Sequence, residues 1–150
     1  MNATHGPLDR STPVDTRLKI CALWISVLFL FAYVDIFSLY RPGVLDDIRR
    51  GTIHTFDVTQ TFLFLTTLYI VVPSVMVVLT LVMPPRLNRN TNYVVAGIYA
   101  LTVLASAVGE WWYYVFASAV EVVLLLTVIR YARTLVGADA AHFDTRPNAE

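Results

Sequence analysis

The chain carries no charged residue between Asp57 and Arg86 and none between Arg89 and Glu110. Two further stretches, Lys19 to Arg41 and Glu110 to Arg130, each hold a single acid inside an otherwise uncharged run. A helix gains ~1.5 Å per residue, so about twenty apolar residues cross the ~30 Å hydrocarbon core of a bilayer. Within lipid each backbone N–H and C=O must find its partner inside the segment, and such runs are therefore read as helices. The sequence predicts an all-α membrane protein, an antiparallel four-helix transmembrane bundle with spans at about 18–40, 60–83, 92–109 and 111–132. These spans use most of the 150 residues, leaving a single membrane domain with no room for a soluble one.

Apolar residues make up 57% of the chain and the mean hydropathy is +0.61, above the range of a soluble domain. Net charge is zero, which gives no electrostatic case for binding nucleic acid. Charge placement says more than the sum. Arg10, Arg17, Lys19, Arg86, Arg89, Arg130, Arg133 and Arg146 fall on one side of an even-span topology, against Arg41, Arg49 and Arg50 on the other. The positive-inside rule then puts both termini in the cytoplasm of a multi-pass cell (inner) membrane protein. The preference for Arg over Lys points to a bacterial source. Cys21 stands alone, which excludes an internal disulfide and the paired-cysteine thiol oxidoreductases. The first apolar run is too long and too late for a cleaved signal and is read as an uncleaved span. With no Gly-x-Ser-x-Gly, Gly-rich phosphate loop or paired histidines, neither an enzyme nor a cofactor is expected.

Along the chain, residues 1–12 and 137–150 are polar and expected to be flexible. Thr12, Pro13 and Asp15 read as a capping box that starts the first helix. Between Arg41 and Asp57, Val44, Leu45 and Ile48 alternate with charged residues as a short amphipathic helix closed by Gly51. His54, Asp57, Asp46 and Asp47 are metal-ligand residue types, but no His-x-x-x-His or cysteine partner accompanies them; a solvated loop without metal is expected. Pro73 falls in the middle of the second span and predicts a helix kink. The segment PPRLNRNTN reads as a short turn, followed by a span whose Ala96, Gly97, Ala100, Ala105 and Ser106 permit close helix approach. Trp111, Trp112, Tyr113 and Tyr114 form an interfacial aromatic belt, or a lid over a pocket.

The chemistry rests on the two acids. A carboxylate at bilayer depth costs roughly 2.5–3.5 kcal/mol on insertion scales, so Asp35 and Glu121 are retained for a reason. Helical spacing gives Glu121 the neighbours Tyr114, Ala117, Ser118, Leu124 and Leu125, and Asp35 the neighbours Phe31, Ala32, Ser38 and Leu39. If the first and last spans are adjacent, both acids face one cavity with no base inside any span to neutralise them. That arrangement suits proton carriage, an organic cation or a small metal ion; it equally describes a protonated Glu that donates a structural hydrogen bond to another helix. The candidate site is therefore Asp35, Glu121, Ser118 and Tyr114, with Trp112 near the mouth. The expected partners are the lipid bilayer, a second copy in a homodimer, and a small-molecule or cation ligand. The competing class is an accessory or scaffold subunit whose Ala/Gly face meets another protein.

The residues KICALWISVLFLFAYVDIFSLYRPGVLDDIRRG and EVVLLLTVIRYA resemble a family of small four-span bacterial membrane proteins known as a domain of unknown function. The resemblance is carried by Leu23 and Trp24, by Asp35 followed by the Pro42–Gly43 turn, and by Glu121, and it implies an integral membrane protein without an assigned activity. The layout is also distantly similar to the small multidrug transporters, which have four spans and one membrane carboxylate. Here the acid of the first span comes late, and the third span lacks the glycine-rich crossing motif.

Overall fold

A computed structural model describes residues 14–53 and 56–143, with side chains described through Leu135. Asp15 itself opens the first helix: its carboxylate accepts the Arg17 backbone N–H at 2.8 Å, the usual task of an N-cap acid. The expected cap, Thr12, lies outside the described residues, as does Pro13. Helix α1 (Thr16–Ser38) buries Ile20, Trp24, Val27, Phe31 and Val34, alternating steps of four and three that place one seam against the bundle.

Gly43, at φ 86°, lets the chain reverse into α2 (Val44–Arg49), whose ends are tied by Asp46–Arg49 and Asp47–Arg50 pairs. Strand β1 (Thr52–Ile53) then pairs antiparallel with β2 (Phe56–Asp57), Thr52 opposite Asp57 and Ile53 opposite Phe56. This small ladder is the exception to the expected all-α composition. His54 lies outside the described residues.

Helix α3 (Gln60–Val82) is capped by the Thr59 hydroxyl, which accepts the Phe62 N–H at 3.1 Å, and it continues through Pro73. Helix α4 (Pro85–Ser106) begins two turns earlier than the sequence pattern suggests: PPRLNRNTN is helical from Pro85, with Pro in its favoured first position. Helix α5 (Trp112–Phe143) continues past residue 132 into the first half of the 137–150 stretch expected to be a flexible tail. Residues 144–150 and the expected flexible segment 1–12 lie outside the described residues.

Three prolines each deprive a carbonyl four residues earlier of its helical N–H. Pro73 vacates the Tyr69 carbonyl, which accepts instead from the Tyr99 hydroxyl. Pro84 vacates Thr80, whose carbonyl accepts from Asn88 Nδ2 at 2.7 Å. Pro85 vacates Leu81, whose carbonyl accepts from Arg17 Nη1 at 2.9 Å. Each replacement donor comes from another helix, so the backbone defects of α3 become its ties to α1 and α4.

The four long helices share one core that includes Ile20, Trp24, Val27, Met76, Ala96, Tyr99, Leu125 and Val128. Helices α4 and α5 are the most extensively packed pair, α1 packs on both α5 and α3, and α3 touches α4 little. In α3 the buried residues are Pro73, Met76 and Thr80, all in its second half. The first half, from Gln60, stands away from the bundle and leaves space at the end that carries α2.

Three stretches, α1, α3 and the Trp112–Leu135 part of α5, are long and apolar enough to cross a membrane. Four were expected. Helix α4 falls short because its first two turns carry Arg86, Asn88, Arg89, Asn90 and Asn92, leaving about four apolar turns from Tyr93.

Candidate functional site

The space beside the first half of α3 is a cavity of about 290 Å³. Helix α1 contributes Phe31, Val34 and Asp35 to its wall, and α3 contributes Thr66, Tyr69 and Ile70. The wall is completed by Thr102, Val103 and Ser106 from α4 and by Tyr114 and Glu121 from α5. The adjacency of α1 and α5, on which the shared-cavity expectation depended, follows from their interlocking seams; α5 continues the same four-and-three spacing through Ser118, Glu121, Leu125, Val128 and Ala132.

Glu121 is 4% exposed, and it makes no hydrogen bond or ion pair with any described residue. Asp35 lies open to the cavity, likewise without a hydrogen-bonding partner for its carboxylate among the described residues. The remaining polar groups are hydroxyls. Tyr69 Oη and Thr102 Oγ1 share a hydrogen bond at 2.8 Å, and the Ser106 hydroxyl donates to the Val103 carbonyl at 3.0 Å. No Lys, Arg or His is among the residues of the wall.

The floor is aromatic. Tyr69 and Tyr99 pack at 4.7 Å between ring centroids, and Phe31 lies 5.9 Å from Tyr69 and 6.3 Å from Tyr99. Beyond it lies a second polar cluster, built on Asn88 and Asn92 of the segment expected to be a turn. Trp24 Nε1 donates to Asn92 Oδ1 at 2.8 Å; Asn92 Nδ2 donates to Asn88 Oδ1 at 2.6 Å, and Asn88 in turn holds the Thr80 carbonyl. All four residues are fully buried. The available signal was the continuation of the α4 face, Asn88, Asn92, Ala96, Tyr99 and Val103, in helical steps.

Above the first cavity is a larger vestibule of about 670 Å³ between α1, α2, α3 and the start of α5. Asp35 and Thr66 line both spaces and mark their junction. Arg41 does not reach back to Asp35. Its Nη1 lies 2.6 Å from Glu110 Oε2, and its guanidinium sits 4.9 Å from the Trp111 ring centroid. Burial disfavours the Arg41 charge, but the hydrogen bond and negative charge of Glu110 outweigh it and raise the guanidinium above its ordinary range.

Of the expected site residues, Asp35, Glu121 and Tyr114 come together on one wall. Ser118 is buried one turn from Glu121 but does not line the cavity, and Trp112 is 90% exposed and faces away from it. Trp111 takes the place anticipated for Trp112, because the turn at Gly109 and Glu110 directs it onto Arg41. Pro73 lies below the cavity, where it frees the Tyr69 carbonyl for Tyr99. Of the small residues of α4, Ala96 and Ala100 are buried against the chain's own helices, whereas Ala105 and Ser106 are exposed.

Long apolar helices, buried amides tied by helix-to-helix hydrogen bonds and a cavity at helix depth define the class: a helical membrane protein. Residues 14–141 match the protein family described as "Family of unknown function (DUF6326)", and the chain belongs to that family. No curated protein and no solved structure matches it.

Proposed function

We propose that this protein binds a cation between Asp35 and Glu121 and carries it, or protons exchanged for it, across the bilayer, with α4 as a fourth span and both termini cytoplasmic. One observation carries the reading: Glu121 is a buried carboxyl on the wall of an open cavity, without a hydrogen-bond partner among the described residues. A structural acid at this depth would be expected to donate to a neighbouring helix, because an unsatisfied polar group in a low-dielectric interior is costly. An acid that receives a ligand has to stay available. The fourth span is supported by the packing of α4 along α5 and by the inward burial of Asn88 and Asn92, which keeps their amides from lipid.

Beyond Glu121, Leu125, Val128, Trp24 and Val27 are fully buried, so the cavity opens toward the α2 end and is closed toward the other. A carrier in this form exposes its site to one side, and transport would require the aromatic floor to part.

The test is calorimetric titration of the protein in lipid nanodiscs with monovalent cations from Na⁺ to alkyltrimethylammonium ions. Native protein should bind at least one of them, and Asp35→Asn and Glu121→Gln should each abolish that binding while leaving the melting temperature unchanged or higher. Absence of binding across the series sets the reading aside, as does binding indifferent to both substitutions. Variants that only destabilise the protein would make the acids structural, as in an accessory subunit.

A further inference from the structure

The vestibule and the inner cavity differ in chemistry, and Asp35 stands where they meet. The inner space is ringed by hydroxyls and closed by Glu121. The vestibule is walled mainly by apolar side chains, among them Ile48 of α2, Ile53 of β1, Leu63 of α3 and Trp111. Besides Asp35, its charged residues are Arg41 and Asp47. Arg41 is held by Glu110 and Asp47 by Arg50, which leaves Asp35 as the charge facing the vestibule without a partner among the described residues.

A bare inorganic ion does not fit this layout. Small hard cations take about six to eight oxygen ligands at short range, and no group of three or more His, Cys, Asp or Glu is gathered among the described residues. An inorganic ion would also leave an apolar space of about 670 Å³ without a role. The two compartments together have the size of a site for a drug-sized molecule, whose pockets run to roughly 300–1,000 Å³ and combine apolar walls with few polar groups.

We propose that the ligand is an amphipathic organic monocation whose ammonium group enters the inner cavity between Asp35 and Glu121 while its apolar body rests in the vestibule. The inference builds on the cation-binding function proposed above and adds the chemical class of the ligand. Charge and shape both select it. An anion meets an unpaired carboxylate at the junction, a neutral molecule leaves Asp35 and Glu121 without a counter-charge, and a short cation forfeits the vestibule. The half-buried Tyr69 and Tyr114 on the cavity wall suit an alkylated ammonium, which attracts aromatic rings and needs few hydrogen bonds.

The experiment uses tetramethylammonium and (4-phenylbutyl)trimethylammonium, which share a head group and differ in the apolar body. Both are titrated calorimetrically into the protein in nanodiscs, with empty nanodiscs as the reference for partition into lipid. The phenylbutyl ion should bind at least about ten-fold tighter, because a buried phenylbutyl group removes well over a hundred square ångströms of apolar surface from water. Leu63→Gln, at an exposed position of the vestibule wall, should shrink that ratio toward one. Asp35→Asn should abolish binding of the phenylbutyl ion. Equal affinity of the two ions overturns the amphipathic ligand while the cation site itself survives. Loss of all cation binding overturns both, and a preference that Leu63→Gln does not reduce places the apolar body elsewhere and overturns the vestibule assignment.

Discussion

The Tyr99 hydroxyl of α4 donates to the Tyr69 backbone carbonyl of α3, the one carbonyl that Pro73 leaves without a helical N–H. The two tyrosine rings pack against each other in a tilted arrangement at 4.7 Å between centroids, and the Tyr69 hydroxyl shares a hydrogen bond with Thr102 of α4. Helices α3 and α4 otherwise touch little, so this reciprocal pair is the principal polar tie between them at the cavity floor.

Removing the hydroxyl should therefore expose the defect it fills. Tyr99→Phe is expected to lower stability by about 1–3 kcal/mol, the usual cost of orphaning a buried hydrogen-bonding group. Adding Pro73→Ala should recover most of that loss, because residue 73 then supplies its own N–H to the Tyr69 carbonyl. Equilibrium unfolding of the two single variants and the double variant in mixed micelles measures the coupling; independent, additive losses would mean that Tyr99 acts through ring packing alone.

The buried amide cluster makes a second, opposite pair of predictions. Asn92→Ala strips the Trp24 indole N–H of its acceptor and Asn88 of its donor, and should cost about 1–3 kcal/mol with a change in tryptophan emission. Thr80 Oγ1 is buried without a hydrogen-bond partner among the described residues, so Thr80→Val replaces an unsatisfied hydroxyl by a methyl group of similar shape and should be neutral or stabilising. Thermal melts of both variants decide it, and a destabilised Thr80→Val would indicate a bound water at that hydroxyl.

These ties explain which parts of the architecture could be read in advance. Long uncharged runs specify helices through their length, so α1, α3 and α5 were legible, as was the likeness to a family of unknown function. The two acids were legible because charge in such a run is expensive, and their shared cavity followed once α1 and α5 were taken as neighbours. Asn88 and Asn92 were not, since polarity around Pro84 and Pro85 looks the same in a solvated turn and in a helix whose amides point inward. The exchange of Trp112 for Trp111 at the vestibule depends on the turn at Gly109, where one residue of rotation redirects an aromatic side chain by about 100°. The proline-to-donor pairing is a tertiary match, and nothing local to Pro73 announces Tyr99.

The Arg41–Glu110 pair joins the end of α1 to the start of α5 at the vestibule rim, each side chain being 18% exposed. Arg41→Glu or Glu110→Arg alone places like charges together and should lower the melting temperature. The double exchange, Arg41→Glu with Glu110→Arg, should recover part of that loss by restoring opposite charges. Failure of the double exchange to improve on either single variant would leave the Trp111 ring, over which Arg41 lies, as the stabilising contact.

Accessibility of the site can be read with thiol chemistry, because Cys21 is buried and is the chain's sole cysteine. In a Cys21→Ala background, Thr66→Cys at the junction of vestibule and cavity should react with a membrane-impermeant maleimide from the side that carries α2. Val128→Cys, fully buried beyond Glu121, should stay unlabelled until the protein is unfolded. Equal labelling of both positions would contradict a cavity closed at its floor, and labelling of Thr66→Cys from the cytoplasmic face would invert the proposed orientation.

Glu121 supplies the sharpest contrast with the amide cluster, since it is comparably buried yet has no hydrogen-bonding partner among the described residues. A buried acid without a partner opposes folding, so Glu121→Gln is expected to raise stability by about 1 kcal/mol or leave it unchanged, where Asn92→Ala lowers it. The same substitution should abolish cation binding, because the amide keeps the shape of the side chain and loses its charge. Stability and ligand affinity would then move in opposite directions, the signature of a residue retained for function at the expense of folding. Melting curves with and without the phenylbutyl cation make the comparison directly: the ligand should raise the melting temperature of the native protein and leave that of Glu121→Gln where it was. A Glu121→Gln protein that melts several degrees lower, with no ligand present, would instead make Glu121 a structural hydrogen-bond donor.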